Sequence, residues 1–288
     1  MKTILIPTDF SENAYNAIRY GIHLFDGTIC RFILLNTYLP VAVDSEFGIY
    51  HPISVHLIDS AKEISEKNLK QISTQIKDEF PNCNHNFETL SSLNQLADEL
   101  KYQVENRDID LIIMGTKGAA GIKEIFFGSI TRNVVKNIDN CPIIIIPKNQ
   151  EYKPWRNIAF ATNFDRPFKK WQIRPLTQLA ALHSSTIRII QIYDPPYLSD
   201  EQLKNFETLD TFLQGVEYHH HVMKEYDTIE NAITAFAKEL EIDVLTLINY
   251  KHGFLDRLTR EPVVKKITLH STIPLIILPE NNQEQSIK

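Results

Sequence analysis

The chain says nearly the same thing twice, and no other feature constrains its folding more. Thr3-Ile-Leu-Ile-Pro-Thr-Asp-Phe10 resembles Asn157-Ile-Ala-Phe-Ala-Thr-Asn-Phe164, and Asp108-Ile-Asp-Leu-Ile-Ile113 resembles Glu241-Ile-Asp-Val-Leu-Thr246. Cys141-Pro-Ile-Ile-Ile-Ile-Pro147 likewise returns as Ile273-Pro-Leu-Ile-Ile-Leu-Pro279. Three landmarks recur in the same order, so the 288 residues read as a tandem duplication. Within each copy, short β-rich runs alternate with longer helical patterns, which predicts a parallel sheet covered by helices on both faces.

In the first copy the pattern predicts strands near 3–8, 30–37, 84–90, 109–114 and 142–146. Helices are expected near 12–26, 54–79, 92–106 and 129–139. Ser11 is placed to cap the first helix, whose Ala14, Ala17, Ile18, Ile22 and Phe25 share one face. The second helix is expected to turn Ile58, Ala61, Ile64, Ser65, Leu69, Ile72 and Ile76 inward. The second copy predicts strands near 157–162, 186–193, 216–225, 243–249 and 274–278. A polar stretch from Asn149 to Pro154 separates domains at 1–148 and 154–280, and a disordered tail is expected over 281–288.

One segment carries chemistry. Gly115, Gly118, Gly128 and Ser129 follow the apolar run Leu111 to Met114 in a G-x2-G-x9-G-[ST] spacing. Glycines at the carboxyl end of a buried strand let backbone N–H groups approach an anion without Cβ obstruction. Gly128-Ser129 then opens a helix whose first N–H groups are unpaired, which makes a phosphate cradle. A plain loop would also use glycines; the agreement of spacing, preceding strand and helix start favours the cradle. Lys117 and Lys123 lie in this loop, but exposed loop lysines usually do nothing specific.

Composition narrows the partners. Hydrophobic content of 43% with 23% charged residues is ordinary for a globular protein. The net charge of −6 leaves no basic face for nucleic acid or an anionic membrane, and no apolar run is long enough to span a bilayer. The start lacks a signal-peptide core, so a cytoplasmic location is expected. Cys30, Cys83 and Cys141 read as reduced, packed thiols. His219, His220 and His221 alternate across a strand, and with no completing ligand they predict no metal site.

With these residues on the page, both copies resemble universal stress protein domains in tandem. The resemblance rests on Ile6-Pro-Thr-Asp-Phe-Ser11, on the glycine motif from Gly115 to Ser129, and on the Cys141 to Pro147 strand. It implies an α/β fold of two five-stranded parallel sheets, each of order 3-2-1-4-5. It also implies that Ile143 to Ile146 and Leu275 to Leu278 pair antiparallel, making an internal pseudo-dimer with or without further homodimerisation. The glycine motif resembles that of the ATP-binding branch, implying ATP, with or without Mg²⁺, in the first domain only.

Carried over, Pro7 and Thr8 at the end of the first strand count among the nucleotide-binding residues, Asp9 after it lies beside the ribose, and the Thr37 backbone reaches the adenine edge. Gly115 and Gly118 line ribose and phosphates, Gly128, Ser129 and Ile130 hold phosphate oxygens, and Met114 also counts among the nucleotide-binding residues. Asp9 could equally serve as a cap or turn residue of the first strand.

The second copy has lost this chemistry. Its matching segment, Ile248 to Pro262, keeps only Gly253, sets Arg260 and Glu261 where Gly128 and Ser129 stand, and Asn163 replaces Asp9. A carboxylate repels a phosphate, so a structural role is expected there. Trp155, Trp171 and Tyr250 could line another pocket, but aromatics in such a core usually pack. No P-loop lysine, adenylation segment or catalytic base is recognisable, which favours nucleotide binding by a stress-response or signalling regulator over catalysis. Slow ATP hydrolysis and a non-binding scaffold remain the alternatives, and the protein partners are unknown.

Overall fold

The computed structural model of the chain describes residues 1–39, 55–116, 129–148, 150–192, 198–223, 229–250 and 273–282. The first copy supplies β1 (Lys2–Pro7), α1 (Glu12–Leu24), β2 (Cys30–Tyr38), α2 (Val55–Glu79) and β3 (Asn86–Leu93). It continues with α3 (Leu96–Asn106), β4 (Leu111–Gly115), α4 (Ser129–Asn137) and β5 (Ile143–Ile146). The second copy supplies β6 (Asn157–Ala161), α5 (Lys170–His183), β7 (Thr186–Ile192), α6 (Asp200–Leu213) and β8 (Tyr218–Met223). It ends with α7 (Ile229–Glu239), β9 (Val244–Ile248) and β10 (Leu275–Leu278).

The ten strands of the described residues join one sheet in the order β3-β2-β1-β4-β5-β10-β9-β6-β7-β8. The two five-strand blocks mirror each other about the central pair, and each has the 3-2-1-4-5 order implied by the sequence. Every pairing within a block is parallel, whereas β5 and β10 run antiparallel, with Ile144 opposite Ile276. Ile143 to Ile146 are buried on both faces, which explains why the strand is a continuous apolar run and not an alternating one. Pairing β5 with β10 removes what would otherwise be two exposed apolar edges.

The helices follow from their faces. Ser11 caps α1, its side chain accepting from the Ala14 N–H at 3.3 Å, and Ala14, Ala17, Ile18 and Ile22 face the sheet. Helix α2 departs from expectation at one position: Ile64 is 60% exposed, while Ser65 beside it is buried. The register that turns Leu69, Ile72 and Ile76 inward brings Ser65 onto the same stripe and swings Ile64 toward solvent. Strand β3 also runs further than predicted, because Ser91, Ser92 and Leu93 continue the ladder against Asn36, Thr37 and Tyr38. Asn281, which the sequence places in a disordered tail, bonds to Asp139 through both its backbone and its side chain. Residues 283–288 lie outside the described residues.

Side chains tie the two copies together beyond the central strands. Trp155 is 1% exposed and donates its indole N–H to the Tyr20 hydroxyl of α1 at 2.8 Å. Tyr152 packs edge-on against Tyr20 and stacks on His23. Lys2 on β1 donates to Gln178 on α5 at 2.7 Å. Trp155 therefore packs as expected of a core aromatic.

Candidate functional site

Strand order reverses at β1: β2 and β3 lie on one side, β4 and β5 on the other. Chains leaving β1 and β4 diverge to opposite faces there and leave a crevice at the carboxyl edge of the sheet. Pro7 and Thr8 are buried at this edge and Asp9 is exposed. Thr37 ends the adjacent strand β2 half-buried, and Met114 and Gly115 end β4. Because β4 and β5 are parallel, α4 must return antiparallel to them, so Ser129 and Ile130 open the helix at the same edge. Both are exposed. Gly118, Gly128, Lys117 and Lys123 lie outside the described residues.

The loop after β1 is built around a tight turn. Phe10 has φ +65°, in the left-handed region that costs an L-residue about 1–2 kcal/mol. Local bonds hold it: the Thr8 hydroxyl accepts the Phe10 N–H, and an Asp9 carboxylate oxygen accepts the Ser11 N–H, both at 3.1 Å. Asp9 thus performs the turn role weighed against ligand contact.

Polar residues brace the turn from behind, Asn36 and Ser65 among them buried, and of these the sequence pattern singles out only Ser65, as an inward-facing position. The Asn36 amide donates to the Thr8 carbonyl at 2.7 Å, and its oxygen accepts from Ser65, which in turn contacts Ser91. Three adjacent elements thereby fix one carbonyl. Asn13, in the first turn of α1, donates its side-chain amide to the Thr116 carbonyl just past β4. Its Oδ1 is buried with no hydrogen-bond partner among the described residues. Gly115 leaves room for this contact: a Cβ there would sit 2.7 Å from the Asn13 carbonyl and 2.8 Å from its side-chain nitrogen. The only sequence hint was Asn13 two residues after a helix cap.

The second copy repeats the turn and fills its surroundings differently. Phe164 has φ +60°, and its N–H is accepted by the Thr162 hydroxyl at 3.1 Å. Here α6 reaches over the turn. Gln202 donates to the Asn163 carbonyl at 2.9 Å and to Asp165 at 3.0 Å, and Asn205 donates to the Phe164 carbonyl at 2.7 Å. Phe164 is buried among Phe168, Phe206 and His220. Gly253, Arg260 and Glu261 lie outside the described residues.

The remaining candidates resolve simply. Tyr250 lies under the Arg166 guanidinium, 4.8 Å from the ring centroid, and burial pushes its hydroxyl pKa up to about 12. Trp171 is half-buried on α5. On β8, His219 and His221 share a face, while His220 turns to the Phe164 and Phe206 side. Among the described residues no three His, Cys, Asp or Glu side chains are grouped to hold a metal ion.

The sheet order and the crevice define a Rossmann-like α/β fold, and comparison with known proteins gives it a family. The universal stress protein family matches residues 1–147. The chain is 30% identical over 157 residues to universal stress protein MJ0531 of Methanocaldococcus jannaschii, covering 51% of this chain and 82% of that one. It is 23% identical over 145 residues to universal stress protein YxiE of Bacillus subtilis, covering 50% and 97%. A universal stress protein from Archaeoglobus fulgidus shares the fold along 96% of both chains, with a TM-score of 0.68 and 19% identity. The chain belongs to the universal stress protein family. Its two copies together match that solved structure, whereas each of these two relatives matches about half of the chain.

Proposed function

We propose that this protein binds ATP, with or without Mg²⁺, at the carboxyl edge of its first copy, and regulates stress response or signalling from the cytoplasm. The observation carrying this reading is the meeting of the β1 turn, the end of β4 and the open start of α4 at the point where strand order reverses. The donor set suits the ligand. Backbone N–H groups in the first turn of α4 favour phosphate oxygens. Asp9 is exposed at this edge, and a carboxylate there suits a ribose diol or a phosphate-borne cation. Pro7, Thr8 and Met114 give the floor, Thr37 the base-facing edge, and Gly115, Gly118, Gly128, Ser129 and Ile130 the cradle.

Domain limits of 1–148 and 154–280 accompany this reading, with the second domain a structural partner. The α6 amides occupying its turn carbonyls support that role. No membrane enters the proposal, and no helix among the described residues is long and apolar enough to cross one. Titration of the full chain with MgATP should give a stoichiometry near one. Gly128→Glu should abolish binding while leaving the ligand-free melting curve in place. Full affinity in that folded variant would move the site elsewhere. Phosphate release should stay well below roughly 1 per second, the low end of common enzyme rates.

A second reading, a scaffold with a vestigial site, draws on Gly115 and Asp9, whose packing and turn roles need no ligand. Mass spectrometry of small molecules released from freshly purified protein separates the two. Adenine nucleotide supports the first, and an empty protein supports the second.

A further inference from the structure

Helix α4 touches both copies. Its start lies at the carboxyl edge of the first block, and its end returns to the opposite rim of the sheet, where β5 begins. Because β5 and β10 are antiparallel, that opposite rim is the carboxyl edge of the second block. A nine-residue helix is about 13 Å long, so α4 bridges the ligand edge of one copy and the matching edge of the other.

At its far end the second copy holds it. Asn249 follows β9, at the position structurally equivalent to Thr116, and its side-chain amide donates to the Val135 carbonyl at 2.7 Å and reaches the Ile138 carbonyl at 3.5 Å. Val135 lies in the last turn, where helix carbonyls have no partner of their own. Asn281, just past β10, donates its backbone N–H to the Asp139 carbonyl at 2.7 Å and its side chain to the Asp139 carboxylate at 2.8 Å. Asn249 is itself fixed, since its N–H continues the ladder to the Leu278 carbonyl at 2.9 Å. Asn249 sits directly at the end of β9, and Asn281, three residues past β10, holds Asp139 two residues past the end of α4.

We infer that Asn249 and Asn281 are positioning residues for the first copy's ligand site, so that the rim of the second copy serves as a clamp on α4. The inference rests on the proposed nucleotide reading, in which the start of α4 holds phosphate. Backbone N–H groups that are already fixed bind phosphate at a lower ordering cost, and the hydrogen bonds along a helix couple its two ends. Holding its last turn therefore sets the direction of its first. A clamp at the far end also leaves the ligand end open.

The test uses the full chain and MgATP in a calorimetric titration. Asn249→Asp keeps the shape and removes the donor. It should weaken binding on the order of fivefold, a modest coupling between distant sites. Asn249→Gln keeps an amide and should recover part of the loss, and Asn281→Ala should weaken binding in the same direction. Gln178→Ala removes a different bond between the copies, the one to Lys2, and should leave the affinity unchanged. If Asn249→Asp fails to fold, Asn281→Ala carries the test alone. Wild-type affinity in a folded Asn249→Asp protein, or in Asn281→Ala where that variant stands alone, overturns the clamp while leaving the nucleotide reading intact. Equal losses in Gln178→Ala and Asn249→Asp would overturn it too, as a general loosening of the copies. A wild-type chain that ignores MgATP overturns the nucleotide reading and the clamp with it.

Discussion

Gly115 has two possible reasons to be glycine, and they make different predictions. A methyl group there meets the Asn13 carbonyl and amide below 3 Å, both of them held in the first turn of α1. Overpacking of this kind costs about 1–3 kcal/mol. Gly115→Ala should therefore lower the urea midpoint of ligand-free protein, and an unchanged midpoint would show that the glycine is kept for a ligand alone. Thr8, Asp9 and Gly115 were legible in the sequence because a strand-end turn and a glycine motif leave local signatures. Asn13 and Asn36 were not. Each acts on a carbonyl more than 25 residues away, and nothing in their neighbouring residues specifies that meeting.

Helix α1 couples the turn to the seam between the copies. It begins at Ser11 beside the turn, and five residues before its Phe25 cap Tyr20 occupies its buried face and receives the Trp155 N–H. Trp155→Phe should cost about 1 kcal/mol for the lost bond, with more if the Tyr20 hydroxyl finds no water. Tyr20→Phe alone should cost a similar amount. The double variant should cost less than the two together, because the pair is in direct contact. Strict additivity in thermal melts would mean that the bond contributes nothing. The elements themselves were largely legible, since periodicity marks a helix or strand wherever one face is buried. Failures came where pairing partners decided the outcome. Strand β3 extends because β2 offers it three more residues, and Ile64 turns outward because the buried stripe of α2 is set by its neighbours.

Across the molecule, stability should respond to mild acid. His85, His183, His220 and His221 all have pKa values lowered from the ordinary histidine value, chiefly because burial disfavours their charged form. Neighbouring His221 lowers His220 further, and Arg188 and His219 do the same to His221. The unfolded chain then binds more protons than the folded one as pH falls below about 6.5. Their contribution is complete above that value and is lost progressively beneath it. The denaturant midpoint should be lower at pH 5.5 than at pH 7.5, and a level midpoint across that window would contradict the assignment. The antiparallel seam of β5 and β10 has a different consequence. Two separate chains joined by such a seam fall apart on dilution and exchange partners, whereas a covalent link supplies the partner at a local concentration of about millimolar. The copy with the altered rim can never be replaced by an intact one, so each particle carries one of each kind at any protein concentration.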